Sequence, residues 1–227
     1  MIRAVVQQII PVLSALAPTP PTIDGTLGPD EWDAADTETF TIGERTSTIY
    51  VMNDANNLYI ALEIPDTTEH VWDGCYVYFD NDNDGVRENG EDCLKIGGSP
   101  PGNFVDLYYD ASSSTLNQDS SRDGSGALTA QGGVHYYEFS HPLDTADDEH
   151  DFSLSSGDTV GFTIGYSDDG AAGIYWPTHP NTAVEYGDIF IASSPIYQGD
   201  LILNDNNVTM IEGRFDINGS IIIEENA

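Results

Sequence analysis

VWDGCYVYFDNDNDGVRENGE, residues Val71 to Glu91, carries two patterns in succession. Its first half alternates, with Cys75, Val77 and Phe79 interleaved between Gly74, Tyr76 and Tyr78, a period of two in residues that favour extended chain. This predicts a strand with one face in a core. The second half sets Asp80, Asp82 and Asp84 at positions 1, 3 and 5 of a twelve-residue oxygen-ligand loop, with Gly85 at 6, Val86 at 7, Glu88 at 9 and Glu91 at 12. Calcium takes about six to eight hard oxygens; alternate aspartates on a tight turn supply them, a glycine permits the bend, and a late glutamate closes the shell. The stretch therefore predicts calcium as the cofactor, in a strand-loop-strand site that is static rather than switching. The alternative is an acidic loop that is merely solvated.

Outward from this stretch the same texture repeats. Strand-like runs occur at Phe40 to Ile42, Ser47 to Asn53, Leu58 to Ile64, Cys93 to Gly97, Asn103 to Tyr109, Val134 to Phe139, Thr159 to Tyr166 and Asp188 to Ala192. Between them lie turn clusters such as Asn53 to Asn57 and Ser112 to Gly126, and helical periodicity is missing from the middle of the chain. Short strands separated by turn signals predict an all-β protein, an antiparallel β-sandwich of jelly-roll type with a short β-rich C-terminal extension. Cys75 and Cys93 flank the acidic loop on neighbouring strands, so a disulfide would tie the loop at its base. Cys75 is in phase with core residues, whereas Leu94 and Ile96 put Cys93 on the opposite face, so bridge and free thiols both stay open.

The ends differ from the middle. Residues 1–17, MIRAVVQQIIPVLSALA, read as a short secretory signal with Arg3, an apolar run and Ala15-Leu16-Ala17 before a Pro-rich linker; a retained N-terminal strand or helix is the alternative. Residues 1–20 are thus assigned to leader and linker, 21–193 to the sandwich and 194–227 to the tail. In the tail, Leu201 to Leu203 and Ile221 to Ile223 are similar apolar runs that suggest the opening coil of a parallel β-helix, a face that invites self-assembly. The competing reading is a terminal hairpin.

Six Lys+Arg stand against 39 Asp+Glu among 227 residues, a formal charge of -33. Such a field excludes nucleic acid and anionic membrane as partners and suits cations or neutral ligands. No segment past the leader has the apolar length for membrane insertion. These features point to a secreted or cell-surface protein.

Read in order, the landmarks resemble the family 9 carbohydrate-binding modules and their DOMON-like relatives. Ile23-Asp24-Gly25 with Asp30-Glu31-Trp32 is similar to the family's opening motif, Tyr50 to Asp66 to its paired strands, and Trp72-Asp73 through Asp84 to its strand and acidic loop. Tyr136 to Leu143, Ser156 to Asp168 and Tyr186 to Phe190 resemble its later strands, so the likeness covers about residues 21–193. The resemblance implies a sugar ring held between two tryptophans, which by position are Trp72 and Trp176. Glu69, His70, His179 and Asn181 are the candidates for a polar rim that would fix the hydroxyls. DOMON-like relatives also hold haem through Met with His or Lys, and Met52 and Met210 are the methionines past the leader.

The residues offer no nucleophile elbow, no His-x-x-x-His or Cys-x-x-Cys metal spacing and no phosphate-cradling glycine loop, which argues against an enzyme. The five histidines are scattered and read as surface or strand residues. Two functions follow: a calcium-stabilised module that binds a glycan or cell-surface polymer, or a structural surface module with calcium and no sugar ligand.

Overall fold

The computed structural model describes residues 12–171, 173–177, 180 and 186–192, together with strand residues 197–198, 201–204, 217–218 and 221–224. Among these the regular elements are all strands. In chain order they are β1 (Val12–Leu13), β2 (Ala15–Leu16), β3 (Asp36–Ile42), β4 (Arg45–Asn53), β5 (Asn57–Pro65), β6 (Gly74–Asp80), β7 (Asp92–Gly97), β8 (Asn103–Asp110), β9 (Thr115–Gln118), β10 (Ser125–Gln131), β11 (Val134–Pro142), β12 (Thr159–Ser167), β13 (Ile174–Trp176) and β14 (Gly187–Phe190). A separate unit from Ser193 onward adds β15 (Tyr197–Gln198), β16 (Leu201–Asn204), β17 (Ile217–Asn218) and β18 (Ile221–Glu224).

Two sheets form a sandwich. One runs β1-β14-β12-β6-β7-β8-β9 with β13 also on β12; the other runs β10-β11-β5-β4-β2 with β3 also on β4. One core fills the space between them, drawing Val77, Phe79, Ile96 and Phe162 from the first sheet and Ile49, Leu62, Tyr137 and Phe139 from the second. Apolar residues at every second position give each sheet one such face. No helix of the described residues is long and apolar enough to cross a membrane.

Within the two sheets of the sandwich, pairing among the described residues is antiparallel except at the N-terminus, where β1 joins β14 and β2 joins β4 in parallel. The chain passes from one sheet to the other at Ser14, which is fully buried and donates from Oγ to Asn53 Oδ1 at 2.6 Å. Residues read as part of a leader are therefore strands of the sandwich, and cleavage after Ala17 would remove both. The apolar alternation that imitates a signal sequence is the pattern that fills two buried sheet edges. The turn-like cluster Ser112 to Gly126 is also partly extended, containing β9 and the start of β10. Pairing with β8 and β11 overrides its polar composition.

Trp32 is buried on the outer side of the second sheet with Met52, Tyr59 and Ala61. Met52, one methionine of the haem expectation, thus lies fully buried in a small apolar cluster, and Met210 lies outside the described residues. In the C-terminal unit Leu201 pairs with Ile221 and Tyr197 with Ile217, both in parallel. Parallel pairing at this spacing is incompatible with the hairpin reading of these strands.

Candidate functional site

Trp72 stands at the head of β6 with 70% of its surface exposed, and Val71 beside it is 64% exposed. Its loop is held from beneath. Asp73 is buried, accepts the His70 N–H at Oδ2 and the Asp169 N–H at Oδ1, both at 2.8 Å, and so joins the turn before β6 to the turn after β12. Gly170 in that second turn has φ +69° and lies against the Trp72 side chain, where a Cβ would stand 3.3 Å from Trp72 Cβ. An exposed indole on a turn fixed by a buried carboxylate is presented to solvent rather than packed.

The indole borders a cleft of about 310 Å³ on the outer face of the first sheet, with Tyr76, Lys95, Asn103 and Val105 among its walls. Strand register explains the grouping. Tyr76 is opposite Gly165 on one side and Lys95 on the other, and Lys95 is opposite Val105. Gly74 and Gly97 face each other at the Trp72 end and leave the cleft open there. Lys95 Nζ lies 4.9 Å from the Tyr76 ring centre, a cation–π contact that keeps the ammonium over the cleft. A second hollow of about 220 Å³ adjoins through Tyr76 and is bounded by Tyr78, Tyr175 and Leu116. Tyr76 and Tyr78 stack at 5.7 Å, and Tyr175 follows at 6.0 Å from Tyr78. Aromatic faces, a cation and an amide thus line one strip of sheet.

Trp176 is not part of this surface. It pairs with Ile164 across β12 and β13, so its side chain shares Ile164's inward face. It is 9% exposed, stacks on Phe40 at 4.5 Å and meets Phe162 edge-on at 5.8 Å. The two-tryptophan clamp does not form here because one ring is core. Glu69 is exposed and His70 half-buried, but His70 turns toward Asp73 and Asp168 at 3.6 and 3.7 Å, and neither residue lines the Trp72 cleft. His179 and Asn181 lie outside the described residues. Tyr76, Lys95 and Asn103 escaped the sequence reading, although the outward phase of the Tyr76 strand was legible in the alternation of β6.

Past β6 the acidic loop gathers its aspartates on one turn. Asp80, Asp82 and Asp84 bring carboxylate oxygens within 4.8 Å of one another. Asp80 is fully buried and accepts the N–H groups of Asp84 and Gly85 at 3.2 and 2.8 Å; Gly85 has φ +83°, which explains glycine at that position. Val86 and Glu88 are exposed, and neither Glu88 nor Glu91 joins the aspartate set. Glu91 is 5% exposed with both carboxylate oxygens buried and unpartnered, and burial, with Asp80 next, pushes its carboxyl up to about 8. Unpaired buried carboxylate oxygens beside an aspartate cluster fit a bound cation.

Cys75 and Cys93 are free and buried on opposite faces of the sheet, since Cys75 pairs with inward Ile96 while Cys93 pairs with Tyr78. Burial drives both thiols above their ordinary range. The loop base is instead closed by Asn81, whose side chain accepts from Asp92 N at 3.2 Å and donates to Gly90 O at 3.4 Å.

No family model matches the chain, and no curated protein matches it significantly. Solved structures do. Family 9 carbohydrate-binding modules from Caldicellulosiruptor kristjanssonii superpose with TM-scores of 0.55 and 0.56 at 14% identity, one in complex with glucose and one with cellotriose. The alignments cover 82% and 90% of this chain and 97% and 100% of theirs. A candidate carbohydrate-binding protein from Bacteroides uniformis gives a TM-score of 0.56 at 7% identity over 78% of this chain and 97% of its own. These similarities show the fold.

Proposed function

We propose that this protein is a non-catalytic carbohydrate-binding module of the secreted or cell-surface kind, stabilised by calcium. The observation that carries this reading is the exposed Trp72 at the rim of a cleft walled by Tyr76, Lys95 and Asn103. A flat aromatic face stacks on the CH face of a pyranose, and an ammonium and an amide beside it bond to the ring hydroxyls. Fold neighbours that bind glucose and cellotriose support a neutral sugar, as does a surface whose charge of -33 repels anions. Calcium would be held by Asp80, Asp82 and Asp84, with the buried Glu91 beside them to close the shell; its chemistry here is to neutralise carboxylates that crowd one turn.

Affinity electrophoresis through soluble glucans, xylans and mannans, with pull-down on cellulose, tests the assignment. Retardation on one polymer that Trp72→Ala abolishes is the expected result. Equal mobility on every glycan would instead favour a structural surface module, the reading that Trp176's burial in the core supports.

A further inference from the structure

We propose that Asp92, Asp106, His141 and Asp151 form a closed site for one zinc-class divalent cation that ties the two sheets together. The site is distinct from the acidic loop. Asp92 opens β7 and Asp106 lies in β8, both in phase with the core residues Leu94, Ile96 and Phe104; His141 is the last residue but one of β11 in the other sheet, and Asp151 precedes the core residue Phe152. All four are buried, at 1%, 2%, 1% and 5% exposure, and one ligand atom from each lies within 4.8 Å of the other three.

Their hydrogen bonds leave ligand atoms aimed at a common point. His141 Nδ1 bonds to the Pro142 carbonyl at 2.7 Å, which makes Nδ1 the protonated nitrogen and leaves the Nε2 lone pair free. Nε2 has no hydrogen-bond partner and stands 3.8 Å from Asp92 Oδ2 and 3.9 Å from Asp151 Oδ1. Asp106 accepts the Asp123 N–H at Oδ2 (2.7 Å) and Asp151 accepts the Thr145 hydroxyl at Oδ2 (2.8 Å). Asp106 Oδ1 and both side-chain oxygens of Asp92 are buried without a partner. His141, Asp106 and Asp151 are thus each oriented by a neighbour, as metal ligands are, while Asp92 leaves both of its oxygens free.

A lone pair facing three buried carboxylates is strongly unfavourable without a cation. Burial first, and the carboxylates' mutual repulsion next, raises Asp92 well above its ordinary range; burial likewise pushes Asp106 up to about 7 and Asp151 up to about 6, and lowers His141 to about 4. An imidazole nitrogen in the set favours zinc over calcium, which takes oxygen ligands, and four ligands closed to solvent match zinc's tetrahedral shell, here with three carboxylates where thiolates are usual. Tetrahedral zinc sets its ligand atoms roughly 3.3 Å apart, so the His141 contacts of 3.8 Å to Asp92 and 3.9 Å to Asp151 would each close by about half an ångström.

The test is elemental analysis of protein stripped with chelator, reloaded with zinc or with calcium, and desalted. About one zinc per chain is expected in the parent and in Asp82→Asn, and a loss of tenfold or more in His141→Gln. Cobalt loading of the unaltered protein reads the same site without a variant: intense visible bands of a four-coordinate ion are expected. Undiminished zinc in a folded His141→Gln would overturn the proposal. So would weak six-coordinate cobalt bands, calcium in place of zinc in the Asp82→Asn protein, or a stripped protein that takes up neither metal and holds the cluster by protons.

Discussion

Trp32 Nε1 donates to Glu138 Oε1 at 2.8 Å, and the other oxygen of that carboxylate accepts the N–H groups of Asp24 and Gly25 at 2.9 and 2.6 Å. Glu138 is fully buried on the outer side of the second sheet, so a single carboxylate pins the opening segment to β11. Glu138→Gln puts an amide NH₂ against donors whichever way it turns, and Trp32→Phe leaves Oε1 unsatisfied. Each is expected to cost about 1–3 kcal/mol in urea unfolding, with an unchanged slope.

The two tryptophans of the expected clamp separate by role. Trp72→Ala should abolish glycan retention while the melting temperature stays within a degree or two, because the ring is exposed. Trp176→Ala should remove a core ring and cost about 3–5 kcal/mol. Parallel melting and retention measurements on both variants separate these outcomes.

With calcium bound in the acidic loop as proposed, the effect of replacing Glu91 should change sign between calcium and chelator. With chelator present its unpartnered carboxylate is a liability, and Glu91→Gln should stabilise the protein by roughly 1–3 kcal/mol. With calcium present the same substitution removes a ligand and should shrink the calcium-induced rise in melting temperature, as should Asp82→Asn. Thermal melts of parent and variant in both buffers should cross.

Asp66 contributes to the acid limb of stability. Burial alone would raise its carboxyl, but hydrogen bonds from the Tyr166 hydroxyl at 2.7 Å and from Thr68 N and Oγ1 at 2.9 and 2.8 Å prevail and hold it below the ordinary aspartate range. A depressed carboxyl contributes stability that is complete above the unfolded value, about 3.9, and is lost as pH falls through the lower folded one. Asp66→Asn should therefore cost about 1–3 kcal/mol at pH 7, and the gap from the parent should narrow below about pH 4 in chemical denaturation.

The sandwich was legible because alternation survives in its central strands: Cys75, Val77 and Phe79 face inward as the sequence demands. The N-terminal strands were not, since a short apolar run that fills a sheet edge has the composition of a secretion signal. Trp176 was misplaced because it was assigned by its position in the resemblance, while its phase was fixed only by pairing with Ile164. The inward aspartates left a trace that went unread. Asp92 stands two residues before Leu94, and Asp106 two after Phe104, so both carboxylates are in phase with core residues. A strand pattern that places charge on its apolar face calls for a partner, and here the histidine that meets them comes from the other sheet.

The measurement that bears most directly on carbohydrate binding is tryptophan fluorescence during titration with glucose and cello-oligosaccharides. Of the three tryptophans, Trp32 and Trp176 are 5% and 9% exposed while Trp72 is 70% exposed, so Trp72 is the ring a bound sugar would shield. A saturable blue shift that vanishes in Trp72→Phe is the result predicted. Saturable binding by calorimetry that is equally strong in Trp72→Ala, or no response to any sugar offered, would contradict a sugar site at Trp72.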